Sequence, residues 1–421
     1  MNIAEKAGSA VLGGYNFLRM YSQHLPQAAS ALFSMPCAVT LVHGSFKDRD
    51  ERIAMLYVGR RMNYHYLLRT IFDEYRETAH KVTNLLAFRK HMARMSGSSD
   101  VLVLDLGWPY NGLVARKGGY VQVPDWLNMV IEFPDRWEDV VGNFRRTARK
   151  HDLRLIRRNG YRCEVADTRA AIDTFYDEMY VPFVSRRHAE DSVIAPRKHV
   201  IKRALQGKLL HIMRDDEIVA AGVIYPENDV MFSLWMGLPE KFLDRQPEAA
   251  ISALYFFGIR LAFDDGYRFF DFTGTRALLR DGPFQFKRRW GPVLEDAFSP
   301  GSILLKPQNG NRNAALFCQE VPVLRRTGDG LEALIVRADG PAGEPADGRS
   351  FARLEKEFGC AGLERMTVIE ISDRNETESI SCGDDKCEYR LIRTRLDSFG
   401  DCYVDGREDV WSPTLADPET H

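Results

Sequence analysis

The sequence has no long apolar stretch, and this absence argues against a membrane-spanning helix. No run among its 421 residues reaches the roughly 18 consecutive apolar residues that such a helix needs. The apolar run at residues 10–12 is too short and too interrupted for a secretory signal. We therefore expect a cytoplasmic protein, with attachment to the inner membrane surface as an open alternative.

Cysteine is scarce and irregularly spaced, which argues against a disulfide framework. The seven cysteines are an odd number without regular spacing, as is typical of proteins from a reducing compartment. Cys382 and Cys387, together with Cys360 and Cys402, invite a zinc interpretation. Their spacing lies outside the tight paired pattern, and no second close pair accompanies them. We therefore predict no metal site.

An excess of charge of one sign is also missing, but basic residues concentrate in one place. The formal net charge of -2 excludes a globally basic nucleic-acid binder. Between residues 145 and 158 the only acid is Asp152. The basic residues there are Arg145, Arg146, Arg149, Lys150, Arg154, Arg157 and Arg158. This group predicts either a track for phosphates or an anionic acceptor, or simply a solvated helix face.

Hydrophobic periodicity predicts an α/β chain in the region between residues 136 and 273. The 45% apolar content is enough for a sizeable core, and 421 residues predict two or three domains. The predicted elements are a helix at 136–151, a hairpin of strands 153–156 and 161–166, helices at 168–184 and 196–206, a three-stranded meander at 209–236, a helix at 247–265 and a strand at 268–273.

The flanking regions carry weaker signals. Before residue 136 we predict strands at 37–42, 101–106 and 126–133, helices at 65–79 and 82–95, and a loop at 109–119. After residue 300 we predict strands at 331–337, 367–371 and 389–394, a helix at 350–358, and flexible connections at 328–330 and 340–348.

Two short motifs near residue 280 carry a resemblance to a known family. Residues 269–274 read Phe-Phe-Asp-Phe-Thr-Gly, and residues 284–291 read Phe-Gln-Phe-Lys-Arg-Arg-Trp-Gly. With the basic run at 143–150 and the strand–loop–helix pattern at 234–267, they resemble the FemAB-like branch of the GNAT acyltransferase superfamily. The resemblance covers roughly residues 130–295.

The resemblance implies an α/β (α+β) fold with tandem GNAT-like lobes, mainly antiparallel mixed sheets and a C-terminal extension. We divide the chain into an N-terminal segment (1–36), a degenerate GNAT-like lobe (37–135), an acyltransferase lobe (136–299) and an extension of unknown role (300–421).

The implied function is transfer of an acyl group from an activated donor to an amine. The expected donor is acyl-CoA as a co-substrate, with no permanently bound cofactor. The acceptor would be the amine of a small molecule, a saccharide or a peptide. Two alternatives stay open: an aminoacyl-tRNA-dependent transferase with tRNA as partner, and a non-catalytic binding module. The sequence predicts no oligomeric state.

Asp271 and Lys287 are the predicted catalytic residues. Asp271 ends a strand and could orient or deprotonate the acceptor amine. If the segment around Lys287 is extended, its side chain points away from Phe284 and Phe286 and could hold a phosphate or the oxyanion. The alternatives are an aspartate that holds a turn and a surface lysine.

The predicted ligand contacts follow from the way a GNAT lobe binds its donor. A splayed central strand supplies hydrogen bonds, and the next helix amino terminus binds the diphosphate. Residues 245–250 lack the glycines of the usual phosphate loop and include Glu248, which weakens the expectation of coenzyme A. The predicted donor contacts are Trp235, Gly237, Arg245 and Gly274. The predicted substrate contacts are Arg145, Arg146, Arg149 and Arg289.

Overall fold

The chain has a mixed α/β architecture, as predicted. The computed structural model describes residues 36–46, 49–59, 64–84, 92, 95–107, 110–115, 118–188, 194–296, 301–328, 330–337, 348–373, 375–380 and 387–405. Within these ranges the chain forms three β-sheets, of six, seven and five strands. We call the units built on them lobe 1, lobe 2 and the C-terminal unit.

The strands and helices are numbered in chain order. The strands are β1 Pro36–Ser45, β2 Arg52–Gly59, β3 Glu74–Asn84, β4 Val101–Asp105, β5 Val121–Pro124, β6 Asn128–Glu132, β7 Arg162–Ala166, β8 Lys208–Arg214, β9 Glu217–Glu227, β10 Val230–Gly237, β11 Phe269–Asp271, β12 Val293–Glu295, β13 Ser302–Pro307, β14 Val323–Arg326, β15 Leu331–Arg337, β16 Leu363–Ile371, β17 Glu376–Ile380 and β18 Glu388–Thr394. The helices are α1 Tyr64–Ile71, α2 Tyr110–Ala115, α3 Trp137–Asn143, α4 Leu153–Arg158, α5 Arg169–Thr174, α6 Val181–His188, α7 Arg197–Gln206, α8 Ala250–Asp264, α9 Gly282–Lys287, α10 Arg312–Glu320, α11 Gly348–Phe358 and α12 Phe399–Asp405.

Lobes 1 and 2 share a pattern of strand orientation. The lobe 1 sheet has the order β3-β1-β2-β4-β13-β5, and the lobe 2 sheet has the order β12-β6-β11-β10-β9-β8-β7. Each contains one parallel pair, β2 with β4 and β10 with β11, and every other pair is antiparallel. The prediction of two lobes with mainly antiparallel mixed sheets is confirmed by the order and orientation of the strands.

The two lobes exchange strands across the predicted boundaries at residues 135 and 299. Strand β6, which lies before residue 135, pairs with β11 and β12 in lobe 2. Strand β13, which lies after residue 299, pairs with β4 and β5 in lobe 1. Sheet membership therefore crosses both boundaries, and the chain returns to lobe 1 after it has built lobe 2.

The prediction of one basic helix over residues 136–151 is wrong, as is the strand at 153–156. Helix α3 ends before Phe144, whose backbone is extended. The Phe144 ring instead packs edge-on against Trp290 at 5.2 Å, so aromatic burial outweighs continuation of the helix. The chain becomes helical again at residues 146–147 and continues through a π-helical segment, Ala148–Asp152, directly into α4. Strand β7 pairs with β8, so the predicted hairpin does not form.

Lobe 1 departs from prediction where pairing between distant residues decides the structure. Helix α1 ends at Ile71, and β3 begins at Glu74 because this segment pairs antiparallel with β1. The helix predicted at residues 82–95 is therefore wrong at 82–84, and residues 85–91 lie outside the described part. Residues 110–115 form helix α2 where a loop was predicted.

The lobe 2 core agrees better with the sequence. The meander β8–β9–β10 is present, and Thr168 caps α5 by accepting a hydrogen bond from the Ala171 amide. Helix α8 crosses over between the parallel strands β10 and β11. Its face contributes Ala253, Ile259 and Ala262 to the core, all fully buried.

The C-terminal unit packs on the lobes through backbone hydrogen bonds. Its sheet has the order β14-β15-β16-β18-β17, and the predicted strands and helix of this region are present. The Leu279 amide donates to Pro322 and the Leu324 amide to Ala277, each at 2.9 Å. Among the described helices, none is long and apolar enough to cross a membrane.

Candidate functional site

Strands β10 and β11 separate near the middle of lobe 2. Their parallel pairing ends where Phe232 lies opposite Asp271, because β11 stops there while β10 continues to Gly237. On the other side of β10, the register with β9 shifts between Ser233 and Trp235. Leu234 is the extra residue of this β-bulge, and neither neighbouring strand supplies a register partner for it.

The carboxyl half of β10 is more exposed than the neighbouring strand β9. A central strand is normally covered on both faces, and residues 219–224 of the adjacent β9 are all buried. Residues 232–236 of β10 are instead all partly exposed. Within the described residues, no strand pairs with β10 beyond Phe232 on the β11 side, so this stretch offers a backbone edge with which an extended ligand could form hydrogen bonds.

Asp271 lies where the two strands separate, and one of its carboxylate oxygens is hydrogen-bonded. The side chain is 5% exposed, and Oδ1 accepts a hydrogen bond from the Thr273 amide at 2.6 Å. In the part of the chain that the structure describes, Oδ2 accepts no hydrogen bond. Burial raises the pKa of the Asp271 carboxyl to about 7, and Glu295 adds to the rise, while the Thr273 amide opposes it.

The turn after Asp271 is strained and is held by Lys287. Thr273 has a φ of +61°, in the left-handed region that a β-branched residue rarely adopts. The Lys287 ammonium donates hydrogen bonds to the carbonyl oxygens of Thr273 at 3.3 Å and Gly274 at 2.8 Å. These two bonds fix the turn beside the Asp271 carboxylate.

The premise that the Lys287 segment is extended is wrong. It forms helix α9, which begins after Asp281 and has Pro283 in its first turn. Lys287 is the last residue of this helix and is only 7% exposed, so it is not a surface lysine. Burial lowers the pKa of the Lys287 ammonium to about 8, and the Asp271 and Asp281 carboxylates oppose this effect.

Asp281 and Arg276 are charged site residues that the sequence reasoning missed. Asp281 is buried beside α9 and accepts a hydrogen bond at 2.6 Å from Tyr66 of lobe 1. The Arg276 guanidinium is buried 3.8 Å from the centre of the Trp126 ring. The available signal was the run from Asp281 to Pro283, which is a helix start with an aspartate cap.

Two of the four predicted donor contacts pack against helices of lobe 2. Trp235 packs edge-on against Tyr180 and His199, beneath α7. Gly237 is buried where a Cβ atom would lie 2.5 Å from the Met179 carbonyl carbon. These two positions are therefore explained by packing against the helices. At Gly274 a Cβ atom would lie 2.9 Å from Trp126, and Arg245 is exposed.

The amino terminus of α8 differs from a phosphate-binding loop. Ala249 has a φ of +61°, and no side chain caps the helix. The Glu248 carboxylate forms an ion pair with Arg158, and the Glu248 carbonyl accepts a hydrogen bond at 2.9 Å from Tyr161. A fixed carboxylate therefore stands where a GNAT lobe would receive a diphosphate.

The predicted substrate-binding arginines do not form one continuous surface. Arg145 donates to the carbonyl oxygens of Lys356 and Gly359 in the C-terminal unit. Arg289 lies 3.8 Å from the buried Asp152 carboxylate. Arg146 and Arg149 are exposed, and within the described residues their side chains form no hydrogen bond or ion pair. These two, with Lys150 and Arg154, are the members available to a ligand.

The described residues contain no group of three or more histidine, cysteine or acidic side chains placed to hold a metal ion. Cys360, Cys387 and Cys402 are free thiols, and burial raises the pKa of the Cys360 thiol to about 11. Cys382 lies outside the described residues.

No protein-family model matches this sequence, and no match was found among curated proteins. Solved structures that resemble the chain include L-PGS from Bacillus licheniformis, at 13% identity over 62% of this chain and 82% of that one, with a TM-score of 0.32. FemX is similar at 13% identity over 63% and 83%, with a TM-score of 0.33. A GCN5-related N-acetyltransferase from Sphaerobacter thermophilus is similar at 11% identity over 60% and 73%, with a TM-score of 0.31. Similarity at this level does not assign a function.

Proposed function

We propose that this protein transfers an acyl group from an activated donor to an amine at the place where β10 and β11 separate. The observation that carries the proposal is the separation of the two strands beyond Phe232 and Asp271. It places an unpaired backbone edge next to a buried carboxylate. Acyl transfer needs these two elements: donors for the developing oxyanion and a base for the amine proton.

In this proposal the backbone around Leu234 binds the donor carbonyl. The bulge leaves Leu234 outside both strand ladders, so its N–H group is a candidate donor to the oxyanion. The acceptor nitrogen attacks the carbonyl carbon, a C–N bond forms, and the C–S or C–O bond to the leaving group breaks. Asp271 Oδ2 takes the proton that the nitrogen loses, and the proton then passes to the leaving thiolate or alkoxide.

The raised pKa of Asp271 suits this role. A carboxyl group with a pKa of about 7 is a stronger base than an ordinary aspartate and is still partly ionised at neutral pH. Lys287 acts beside it by holding the turn at Thr273 and Gly274. We therefore propose a positioning role for Lys287, in place of direct contact with a phosphate. Burying these two ionisable side chains costs desolvation energy, which supports an enzyme over a non-catalytic binding module.

Acyl-CoA is the first donor to test, but one observation favours aminoacyl-tRNA as a second candidate. The start of α8 carries the Glu248–Arg158 ion pair, which disfavours a diphosphate at that position. The exposed Arg146, Arg149 and Lys150 could instead contact the phosphates of a larger donor. In this second candidate the chemistry at Asp271 is the same, and the leaving group is the ribose hydroxyl.

The test is amide formation followed by mass spectrometry. The wild-type protein would be incubated with acyl-CoAs of several chain lengths or with aminoacyl-tRNA, and with amino sugars, polyamines or lysine-containing peptides. We expect one donor class to give an amide product. Asp271→Asn should reduce its rate about 10²–10⁴-fold, the range typical of a lost general base. Asp216→Asn, in the exposed turn between β8 and β9, should leave it unchanged. Equal rates for Asp271→Asn and the wild type would exclude Asp271 as the base.

A further inference from the structure

A tyrosine of lobe 1 contacts the helix that carries Lys287. Tyr66 lies on α1, and its hydroxyl donates to Asp281 Oδ1 at 2.6 Å. Asp281 is only 3% exposed, and its second oxygen, Oδ2, accepts from the Phe284 amide at 3.3 Å. One carboxylate therefore binds lobe 1 through one oxygen and caps α9 of lobe 2 through the other.

The cap and the lysine belong to one short helix. Helix α9 begins after Asp281 and ends at Lys287, so the cap fixes the helix at one end while Lys287 is its last residue. Lys287 reaches from there to the carbonyl oxygens of Thr273 and Gly274. A change at the cap is thus transmitted over less than two helical turns to the group that holds the Asp271 turn.

The buried charges around this helix are few and can be named. Lys287 faces the carboxylates of Asp271 and Asp281. Asp281 also faces the Arg276 guanidinium and the Tyr66 hydroxyl, and Asp271 also faces Glu295. Burial raises the pKa of the Asp281 carboxyl, and the hydrogen bond from Tyr66 opposes that rise. The Tyr66 hydroxyl therefore favours the ionised form of Asp281, which in turn favours the ammonium form of Lys287.

We propose that Tyr66 and Asp281 are positioning residues for Lys287, so that lobe 1 takes part in setting the orientation and charge of the site in lobe 2. The proposal rests on the proposed function for its catalytic consequence. It gives lobe 1, in which the sequence identified no catalytic residue, a defined part in the reaction. Neither residue is proposed to touch the donor or the acceptor.

Two conservative variants separate the effects of the bond and the charge. Tyr66→Phe removes only the hydroxyl and with it the hydrogen bond that holds the Asp281 carboxylate in place, which weakens the support that this carboxylate gives to the Lys287 charge. Asp281→Asn keeps an oxygen for Tyr66 and an amide-capping side chain, but removes the negative charge. Lys287 should therefore lose its proton at lower pH in both variants, with the larger change in Asp281→Asn.

Tyr57→Phe is the matched control. Tyr57 is a buried tyrosine of lobe 1 that also donates to a buried carboxylate, Asp105 Oδ2, at 2.9 Å. It lies on β2, and its hydrogen bond to Asp105 is separate from the bond between Tyr66 and Asp281. Loss of its hydroxyl removes the same chemical group from the same lobe. We expect it to leave the titration of Lys287 unchanged.

The experiment is an NMR titration of full-length protein labelled with ¹³C at lysine Cε. The Lys287 signal is assigned by its loss in Lys287→Arg. We expect the titration midpoint to move to lower pH by about one pH unit in Asp281→Asn, by less in Tyr66→Phe, and not at all in Tyr57→Phe. Where amide formation is measurable, the acyl-transfer rate against pH should show the same order.

The outcomes for the inference and for the proposed function are separate. Unchanged Lys287 midpoints in Tyr66→Phe and Asp281→Asn, with circular dichroism equal to the wild type, would overturn the inference. An equal shift in Tyr57→Phe would also overturn it, because the effect would then not pass through the cap. Absence of amide formation with every donor would count against the proposed function, while the NMR titration would still decide whether lobe 1 controls Lys287.

Discussion

Arg145 in lobe 2 donates a hydrogen bond at 3.0 Å to the carbonyl oxygen of Lys356, near the carboxyl end of α11 in the C-terminal unit. Arg288 also donates to this segment, with its Nη1 atom 3.0 Å from the Gly359 carbonyl oxygen. The last carbonyl groups of a helix lack partners within the helix, and arginines are suited to satisfy them. Arg145, from the basic group at residues 145–158, and Arg288 therefore join the C-terminal unit to lobe 2.

This arrangement predicts different effects for two neighbouring arginines. Arg145→Gln should lower the free energy of unfolding by about 1–3 kcal/mol, because it removes the charge-assisted hydrogen bonds from Arg145 to Lys356 and Gly359 and leaves only those from Arg288. Arg146→Gln should change it by less than about 0.5 kcal/mol, because Arg146 is exposed. Urea unfolding followed by tryptophan fluorescence measures both values. If the two variants unfold alike, the Arg145 contact does not stabilise the protein.

Arg146→Gln also tests whether the basic group at residues 145–158 binds a ligand. If this basic group binds tRNA or another anionic ligand, Arg146→Gln should weaken binding and make the affinity less dependent on salt. The stability of the protein should change little. Binding at several salt concentrations, measured by fluorescence anisotropy, would show this. Equal affinity and an equal salt slope for Arg146→Gln and the wild type would exclude Arg146 as a phosphate contact.

Gly237 predicts a second difference in stability, this time between two glycines. A Cβ atom at Gly237 would lie 2.5–2.7 Å from the backbone of Met179 and Tyr180, so Gly237→Ala forces a backbone to move. We expect a loss of about 1–3 kcal/mol, as for other overpacked sites. At Gly142 in α3 a Cβ atom meets nothing within 4 Å, so Gly142→Ala should be neutral or stabilise by up to about 1 kcal/mol.

Thermal unfolding of the two alanine variants provides the measurement. A melting temperature for Gly237→Ala at or above that of Gly142→Ala would show that the close approach at Gly237 is relieved without cost. In that case Gly237 would again be a candidate for contact with the acyl donor.

Local signals predicted the parts of lobe 2 that are built from neighbouring segments. The meander of β8, β9 and β10 is a succession of adjacent strands joined by short turns, and Thr168 is a cap that acts within its own helix. The position of Asp271 at a strand end also followed from local pattern alone. These features need no knowledge of distant contacts.

The features that the sequence did not predict depend mostly on contacts between distant residues. Strand β3 forms because it pairs with β1, and the partner of Arg145 lies 211 residues away along the chain. Helix α9 is different, because its start signal at Asp281 and Pro283 was present in the sequence. The alternation of Phe284 and Phe286 favours an extended segment, but the Asp281 cap and Pro283 favour the helix that forms.

The last prediction concerns the pH dependence of stability that Asp271 contributes. Its pKa in the folded protein, about 7, is above the ordinary value of 3.8 that applies to the unfolded chain. The folded state therefore binds the proton more tightly than the unfolded state does. The stabilisation from this proton is fully present below about pH 3.8 and is lost as the pH rises through about 7. Asp271→Asn cannot lose a proton and should not show this dependence.

Urea unfolding of the wild type and of Asp271→Asn at pH 5 and pH 7.5 isolates the contribution, since Asp281 and Glu295 titrate in both proteins. Between these two values the wild type should lose on the order of 2 kcal/mol relative to the variant, because one pKa unit corresponds to about 1.4 kcal/mol. Lys287 acts in the opposite direction and at higher pH. Its pKa is lowered from 10.5 to about 8, so its destabilising effect develops as the pH falls from 10.5 to 8 and is nearly complete at pH 7.5. An equal change in unfolding free energy for both proteins would show that Asp271 titrates as an ordinary aspartate, and the argument for it as a base at neutral pH would then fail.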